Sequence, residues 1–372
     1  MKTLFSLFLT VIFMFCTTSA FAQAKDNTSV MPEKKEEVDA DVATGWHPQL
    51  RLSGNFALAK NRNVPGAIEG SVLNFGYMLN GAADYLSYDQ KHEWLSSLNM
   101  NLGFSRTEAL GLVTKNLDTI DFKTSYLFHI PSVKWLGPFV SFSLTTSMIE
   151  GYYVQPEATN IIKVKHNESF EKTDSGNTID DNGVVINANH PRVKNYKAKK
   201  KITLTNSFSP TTLKESLGLF ATPVTKESLR LDIRAGFGAW ETYVRGGYNV
   251  DEDTKIDNLI VFRKMQNAFQ MGPELGLLMN GVVDKNVTYL IGARAMQPVY
   301  HNADTDLKGM ELLNLEFEVR FGVQLAKWLS VDYSFKAIKQ PLLVKDWQIQ
   351  NNLLVSLGFD LIAAQEPAPA TK

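Results

Sequence analysis

The sequence predicts an all-β fold: a transmembrane, antiparallel, up-and-down β-barrel of about twelve strands in the outer membrane. Three observations predict it: an export signal at the N-terminus, two-residue alternation over long segments, and short and long connections that take turns. Alternation alone can also come from a soluble sandwich with one face in water. Length separates the two, because a membrane strand needs about 9–11 alternating residues and a soluble strand averages roughly five or six.

The export signal occupies residues 1–22. Lys2 supplies a positive start, "LFSLFLTVIFMF" an apolar core, and Ala20-Phe21-Ala22 a small-x-small cleavage site before Gln23, the pattern of a secretory signal peptide. The apolar run is short of the roughly 20 residues that a spanning helix needs. Cys16 follows the bulky Phe15, where a lipoprotein signal wants a small residue. It is also the one cysteine of the chain, so a mature protein starting at Gln23 has no thiol for catalysis, disulfides or Cys-ligated zinc. A net charge of −1 over 372 residues gives no reason to expect nucleic acid as a partner. Residues 23–45, charge-dense at "KKEEVDADV", read as a flexible periplasmic lead-in. Residues 46–362 read as the barrel, and the Ala/Pro-rich 363–372 as a periplasmic tail.

The strands follow from the alternation. "LRLSGNFAL" sets Leu50, Leu52, Phe56 and Leu58 against Arg51, Ser53 and Asn55. "HEWLSSLNMNLGF" sets Trp94, Leu98, Met100, Leu102 and Phe104 against Glu93, Ser97, Asn99 and Asn101. "TIDFKTSYLFH", "FVSFSLTTSM", "LRLDIRAGF", "LSVDYSFKA" and "WQIQNNLLVSLGFDL" repeat the pattern. In "LLNLEFEVRFGVQL" (312–325) the odd-numbered apolar residues suit lipid, and Asn314, Glu316, Glu318, Arg320 and Gln324 suit a polar lumen. The opposite register would put an arginine in hydrocarbon, at roughly 2–4 kcal/mol.

Short breaks at 87–91, 130–138, 222–228, 283–286 and 326–328 alternate with long ones at 60–70, 107–116, about 155–200, from 246, 297–309 and 339–346. Periplasmic turns and extracellular loops alternate in this way. The count of twelve treats 202–222 as one strand bent near Pro210, and takes 155–200 as a long extracellular loop. The "AKW" turn (326–328) implies a hairpin with Leu325 opposite Leu329 and Glu318 opposite Lys336. Trp94, Trp135 and Trp328 near short turns, with Trp240 and Trp347 near long loops, are expected in the interfacial aromatic girdles.

Ten charges are expected to line the lumen: Arg230, Asp232, Arg234, Glu274, Arg294, Glu316, Glu318, Arg320, Asp332 and Lys336. Mixed signs can set a solute path or pair up and fill a barrel narrower than the porins. No motif announces catalysis. His129 lies on the polar register of its strand, without an evident serine partner. His47, His92, His166, His190 and His301 are scattered. The acid-rich "HNADTDLKG" and "TDSGNTIDDNGV" miss the spacing of a calcium loop, and "KAKKK" (197–201) could meet anionic headgroups. The expectation is a protein without metal or cofactor, not an enzyme, with outer-membrane lipids and a small solute as partners. Its role is narrow-channel passage of that solute. The alternatives are a structural or surface-interaction barrel acting through the long loop, and a membrane-embedded lipid hydrolase.

Three stretches carry a family resemblance: "NVPGAIEGSVLNFGYMLNGAADY", the run from "HEWLSSLNMNLGF" to "WLGPFVSFSLTT", and "FSPTTLKESLGLFATP". Together they cover much of 60–225, and the sequence resembles there an uncharacterised domain-of-unknown-function family of exported proteins of Gram-negative bacteria. The resemblance implies an outer-membrane barrel and brings no catalytic residues. Many such barrels end on an aromatic residue, whereas here Phe359 is followed by thirteen more residues.

Overall fold

The computed structural model describes residues 44–362, apart from 62–69, 109, 174–176, 227, 257–258, 285, 304 and 306. The expected signal peptide, all but the last two residues of the lead-in, and the tail 363–372 lie outside the described residues.

Twelve strands form the wall: β1 (Gly45–Asn61), β2 (Gly70–Leu86), β3 (His92–Thr107), β4 (Val113–Phe128), β5 (Leu136–Thr146), β6 (Thr211–Lys226), β7 (Leu229–Tyr243), β8 (Ala268–Asp284), β9 (Val287–Met296), β10 (Asn314–Ala326), β11 (Leu329–Gln340) and β12 (Val344–Ile362). Each pairs antiparallel with the next. β12 returns to β1, with Leu52 opposite Phe359 and Ser53 opposite Gly358, so the sheet closes and leaves no open edge.

Alternation builds the two faces. On β3, Glu93, Leu95, Asn99, Asn101 and Ser105 are buried while Trp94 is exposed. Around the barrel the other face presents Phe56, Val140, Leu217, Leu275 and Phe359, each more than half exposed. A belt of bare apolar side chains outside a closed sheet with a polar interior is stable in lipid and not in water. The protein is an outer-membrane β-barrel.

The connections 87–91, 129–135, 227–228, 285–286 and 327–328 and both barrel termini share one end, the turn end. The long excursions share the other, the loop end, where the breaks expected at 107–116 and 339–346 shrink to the short links 108–112 and 341–343 because the flanking strands run on. The break expected at 222–228 shrinks to 227–228, because Thr222–Lys226 continue β6 past a bulge after Ala221. Residues 202–222 are not one strand. Ile202–Thr205 pairs with Gly151–Tyr153 outside the barrel, and the wall resumes only at Thr211. The count of twelve survives because Thr211–Lys226 still crosses the wall as a single strand between β5 and β7. On β10 and β11, Glu318 lies opposite Lys336, but Leu325 does not face Leu329. The hairpin closes on Ala326 opposite Leu329, and a bulge after Gln324 absorbs the extra residue, as bulges beside tight turns do.

Gly218 and Gly236 face each other across β6 and β7. A Cβ on Gly218 would sit 2.2 Å from the Ala235 carbonyl oxygen, and one on Gly236 2.1 Å from that of Leu217. Only glycine permits this approach.

The expected loop is a folded cap. Thr159–Val164 pairs antiparallel with Val193–Tyr196 and parallel with Leu259–Lys264, which pairs in turn with Tyr248–Ile256. The excursions 147–210 and 244–267 therefore share one sheet. Ile162, Val164, Ile186, Ile256, Leu259 and Val261 form one core. Ile161, Ile202 and Phe262, with Tyr153, Tyr196 and Tyr248 against them, form a second. Arg263 joins the two excursions. Its guanidinium donates to Asp251 at 2.6 Å and to the carbonyls of His166 and Glu168 at 3.0 and 2.7 Å.

Candidate functional site

The ten expected charges all occupy inward-facing positions. Arg230, Asp232 and Arg234 stand on β7, Glu274 on β8, Arg294 on β9, Glu316, Glu318 and Arg320 on β10, and Asp332 and Lys336 on β11. Several contacts cross the interior instead of following the wall. Lys214 on β6 forms an ion pair with Glu316 on β10. Arg234 on β7 donates to Ser125 Oγ on β4 at 2.9 Å, and Arg294 on β9 to Ser216 Oγ on β6 at 3.0 Å. None of these strand pairs are neighbours in the sheet.

The contacts converge on a knot around Glu274. Its carboxylate accepts from Arg294 at 2.7 Å, Ser216 at 3.0 Å and Trp240 Nε1 at 3.2 Å. The Lys214 ammonium lies 4.0 Å from the centre of the Trp240 ring and the Arg294 guanidinium 5.1 Å. A cation over an indole face gains about 0.5–2 kcal/mol, more when water is excluded. Glu316 also accepts from Gln340 at 3.4 Å. Trp240 thus corrects the expected girdle: it is only 2 % exposed and lies in the lumen. Its even number on β7 matches Arg230, Asp232 and Arg234, so its side chain points inward wherever the loop begins.

The other charges form smaller groups. Arg230 holds Asp232 through two donors at 2.9 and 3.1 Å, and Thr222 donates to the same carboxylate at 2.6 Å. Glu318 pairs with Arg320 along β10. Ser330 donates to Asp332 at 2.8 Å. Lys336 stands opposite Glu318. On β4, Asp121 pairs with Lys123 at 3.0 Å and accepts from Thr145 at 2.9 Å.

Nearer the turn end, Leu95, Leu127, Phe139 and Phe220 form an apolar patch on the inner wall. His129 meets Phe220 edge-on at 5.0 Å, and its ring nitrogens contact Glu93 at 2.8 Å and the Lys134 carbonyl at 2.7 Å.

Trp94, Trp135 and Trp328 are exposed at the turn end, and Trp347 is exposed on the loop-end half of β12. Trp46, absent from the expected girdle, is exposed at the turn end and packs on Tyr85 at 5.2 Å. Lys214 and Ser216 were equally absent from the expected site. The signal for both is present, since Leu213, Leu217 and Leu219 alternate with Lys214, Ser216 and Gly218.

No family model matches the chain, and no curated protein matches it. The family resemblance therefore gains no support from either. Among solved structures, the translocator domain of the autotransporter NalP from Neisseria meningitidis is similar at 8% identity and a TM-score of 0.34, covering 85% of this chain and 88% of that one. An outer membrane channel from Pseudomonas putida F1 is similar at 9% identity and a TM-score of 0.34, covering 87% and 99%. The TodX monoaromatic hydrocarbon channel is similar at 8% identity and a TM-score of 0.31, covering 86% and 90%. These overlaps are loose, and the fold assignment rests on the closed strand register.

Proposed function

We propose that the barrel is a narrow, gated passage for a small hydrophilic solute, held shut at rest by the charges that meet across its lumen. The observation that carries this reading is the Lys214–Glu316 ion pair, which joins two strands that are not neighbours. A buried pair built for stability alone gains little, because desolvation offsets most of the Coulomb attraction. Long side chains of opposite charge that meet inside a barrel can part without disturbing its wall. Inward-facing Asn74, Asn99, Asn101 and Asn280 add donors and acceptors for a hydrogen-bonding passenger. Twelve strands enclose less space than the 16–18 of open porins, so conductance is expected to be low.

The test is conductance in planar bilayers. Wild type is expected to show small, infrequent openings, and Lys214→Gln and Glu316→Gln each to raise their frequency. A wild type as conductive as a porin, or variants that match it, would sink the reading.

A second reading is favoured by the cap, whose two cores make it a module able to bind at the cell surface. A barrel silent in bilayers in every variant would favour it. Both readings take the turn end as periplasmic and the cap as external. We propose no catalytic role for His129, whose two ring nitrogens are engaged by Glu93 and a carbonyl.

A further inference from the structure

From His190 to Thr205 the chain carries six lysines and arginines and no acid: Arg192, Lys194, Lys197, Lys199, Lys200 and Lys201. The five lysines are exposed. Lys200 lies 5.5 Å from the centre of the Tyr196 ring and Lys201 5.4 Å from that of Tyr152. The ring faces hold the ammonium groups while leaving most of their hydration shells open to an anion. Tyr196 also lines a groove with Ile161, Lys163, Arg192 and Lys194, which continues the basic surface. Arg192 is already committed to Glu168 and Asp180, and Glu150 accepts from the Tyr152 hydroxyl at 2.7 Å, so the available positive charge is that of the lysines.

The basic run sits at the barrel rim. The Lys199 ammonium lies 3.7 Å from the position a Cβ would take on Gly111, in the β3–β4 connection. The two segments that link wall to cap meet nearby, where Phe208 N donates to the Ser147 carbonyl at 2.9 Å. These segments expose Ile149, Tyr152 and Phe208, the last at 54 %. Lys199 and Phe208 both have positive φ, 61° and 56°. Such a backbone is costly for residues other than glycine and is retained where function fixes the side chain. Positive charge beside exposed apolar side chains at the barrel rim, as Lys201 lies beside Tyr152, has the chemistry of a lipid headgroup site.

We propose that this rim is a docking site for a phosphorylated glycolipid of the outer leaflet. Lys199, Lys200 and Lys201 hold its phosphates, and Ile149 and Phe208 receive the upper part of its acyl chains. The site rests on the orientation adopted above and not on conduction through the lumen.

The experiment titrates purified full-length protein in detergent with bisphosphorylated lipid A, read by native mass spectrometry. The K199Q/K200Q/K201Q variant is expected to bind roughly 100-fold more weakly, at about one kcal/mol per lysine. Phe208→Ser is expected to lose about tenfold through its apolar contact. Wild type should bind dephosphorylated lipid A no better than the triple variant binds the phosphorylated form. K165Q/K172Q, which removes charge elsewhere on the cap, should leave affinity unchanged. Triple-variant affinity within a few-fold of wild type would overturn the proposal. An equal loss in K165Q/K172Q, or displacement of the lipid by millimolar inorganic phosphate, would overturn it too. If the triple variant fails to assemble, Phe208→Ser and the dephosphorylated lipid on wild type decide the matter.

Discussion

The indole N–H of Trp240 donates to Oε2 of Glu274 at 3.2 Å inside the barrel, beneath two cations and away from lipid. The other five tryptophans of the chain, Trp46, Trp94, Trp135, Trp328 and Trp347, are all exposed. A variant retaining only Trp240, reconstituted in brominated lipid, should keep most of its fluorescence. A variant retaining only Trp94 should be strongly quenched. Equal quenching of the two would place Trp240 on the outer wall.

Removing the indole should also loosen the knot. Trp240→Ala deletes the ring under Lys214 and Arg294 and one donor to Glu274. Larger unitary conductance than wild type is the expected outcome in bilayers, at a stability cost of about 3–5 kcal/mol. Unchanged conductance would show that the ring is not part of the constriction.

Gly236→Ala should impair assembly more than any lumenal charge change, since the added methyl would meet the Leu217 carbonyl oxygen at 2.1 Å. Overpacking of this kind costs about 1–3 kcal/mol where neighbours can yield, and backbone on both sides yields least. The measurement is the fraction of heat-modifiable, folded barrel on a gel. Wild-type yield would contradict the close approach of β6 and β7.

Cap integrity should depend on Arg263. Arg263→Ala removes its bonds to Asp251 and to the carbonyls of His166 and Glu168, worth about 1.5–3 kcal/mol for each bond to the charged partner. On intact cells, protease should cut the variant near 165–170 and wild type much more slowly. Equal cleavage of both would mean that Arg263 does not hold the two excursions together.

Acid should loosen the cap before the barrel. Burial pushes the Asp251 carboxyl up, but hydrogen bonds from Arg263 and Thr254 and the Arg263 charge outweigh it and hold the group below its ordinary range. A carboxyl lowered in the folded state adds stability above its unfolded value, and that stability fades as pH falls through the folded one. Protease sensitivity of the cap should therefore rise below about pH 4. In Arg263→Ala the contribution of Asp251 to this rise should be smaller, and an identical pH profile would argue against the pair.

Much of the wall was legible because lipid makes the alternation strict. A misplaced Arg320 or Glu318 would lie in hydrocarbon, so parity alone assigns the faces of β10. Parity was equally sufficient for Trp240, which was misassigned from its nearness to a loop. Lys214 was lost with the break near Pro210, because Ile202–Thr205 reads as a continuation of β6 although it pairs elsewhere. The cap was not legible for a different reason. Its strands run three to nine residues, show little alternation because both faces meet a core, and the pairing that joins the two excursions spans about a hundred positions. Ile161 opposite Ile260 is one such pairing.

That parallel pairing also sets an order of events. Thr159–Val164 and Leu259–Lys264 are separated along the chain by β6 and β7, so forming that hairpin brings the two excursions to the same side and shortens the loop that their pairing must close. Contacts this distant form late, because loop closure must come first. The cap is therefore a marker of completion. A barrel whose middle hairpin is missing or out of register would leave the apolar residues Ile162, Val261 and Phe262 uncovered, exposed to proteases that clear unfinished molecules.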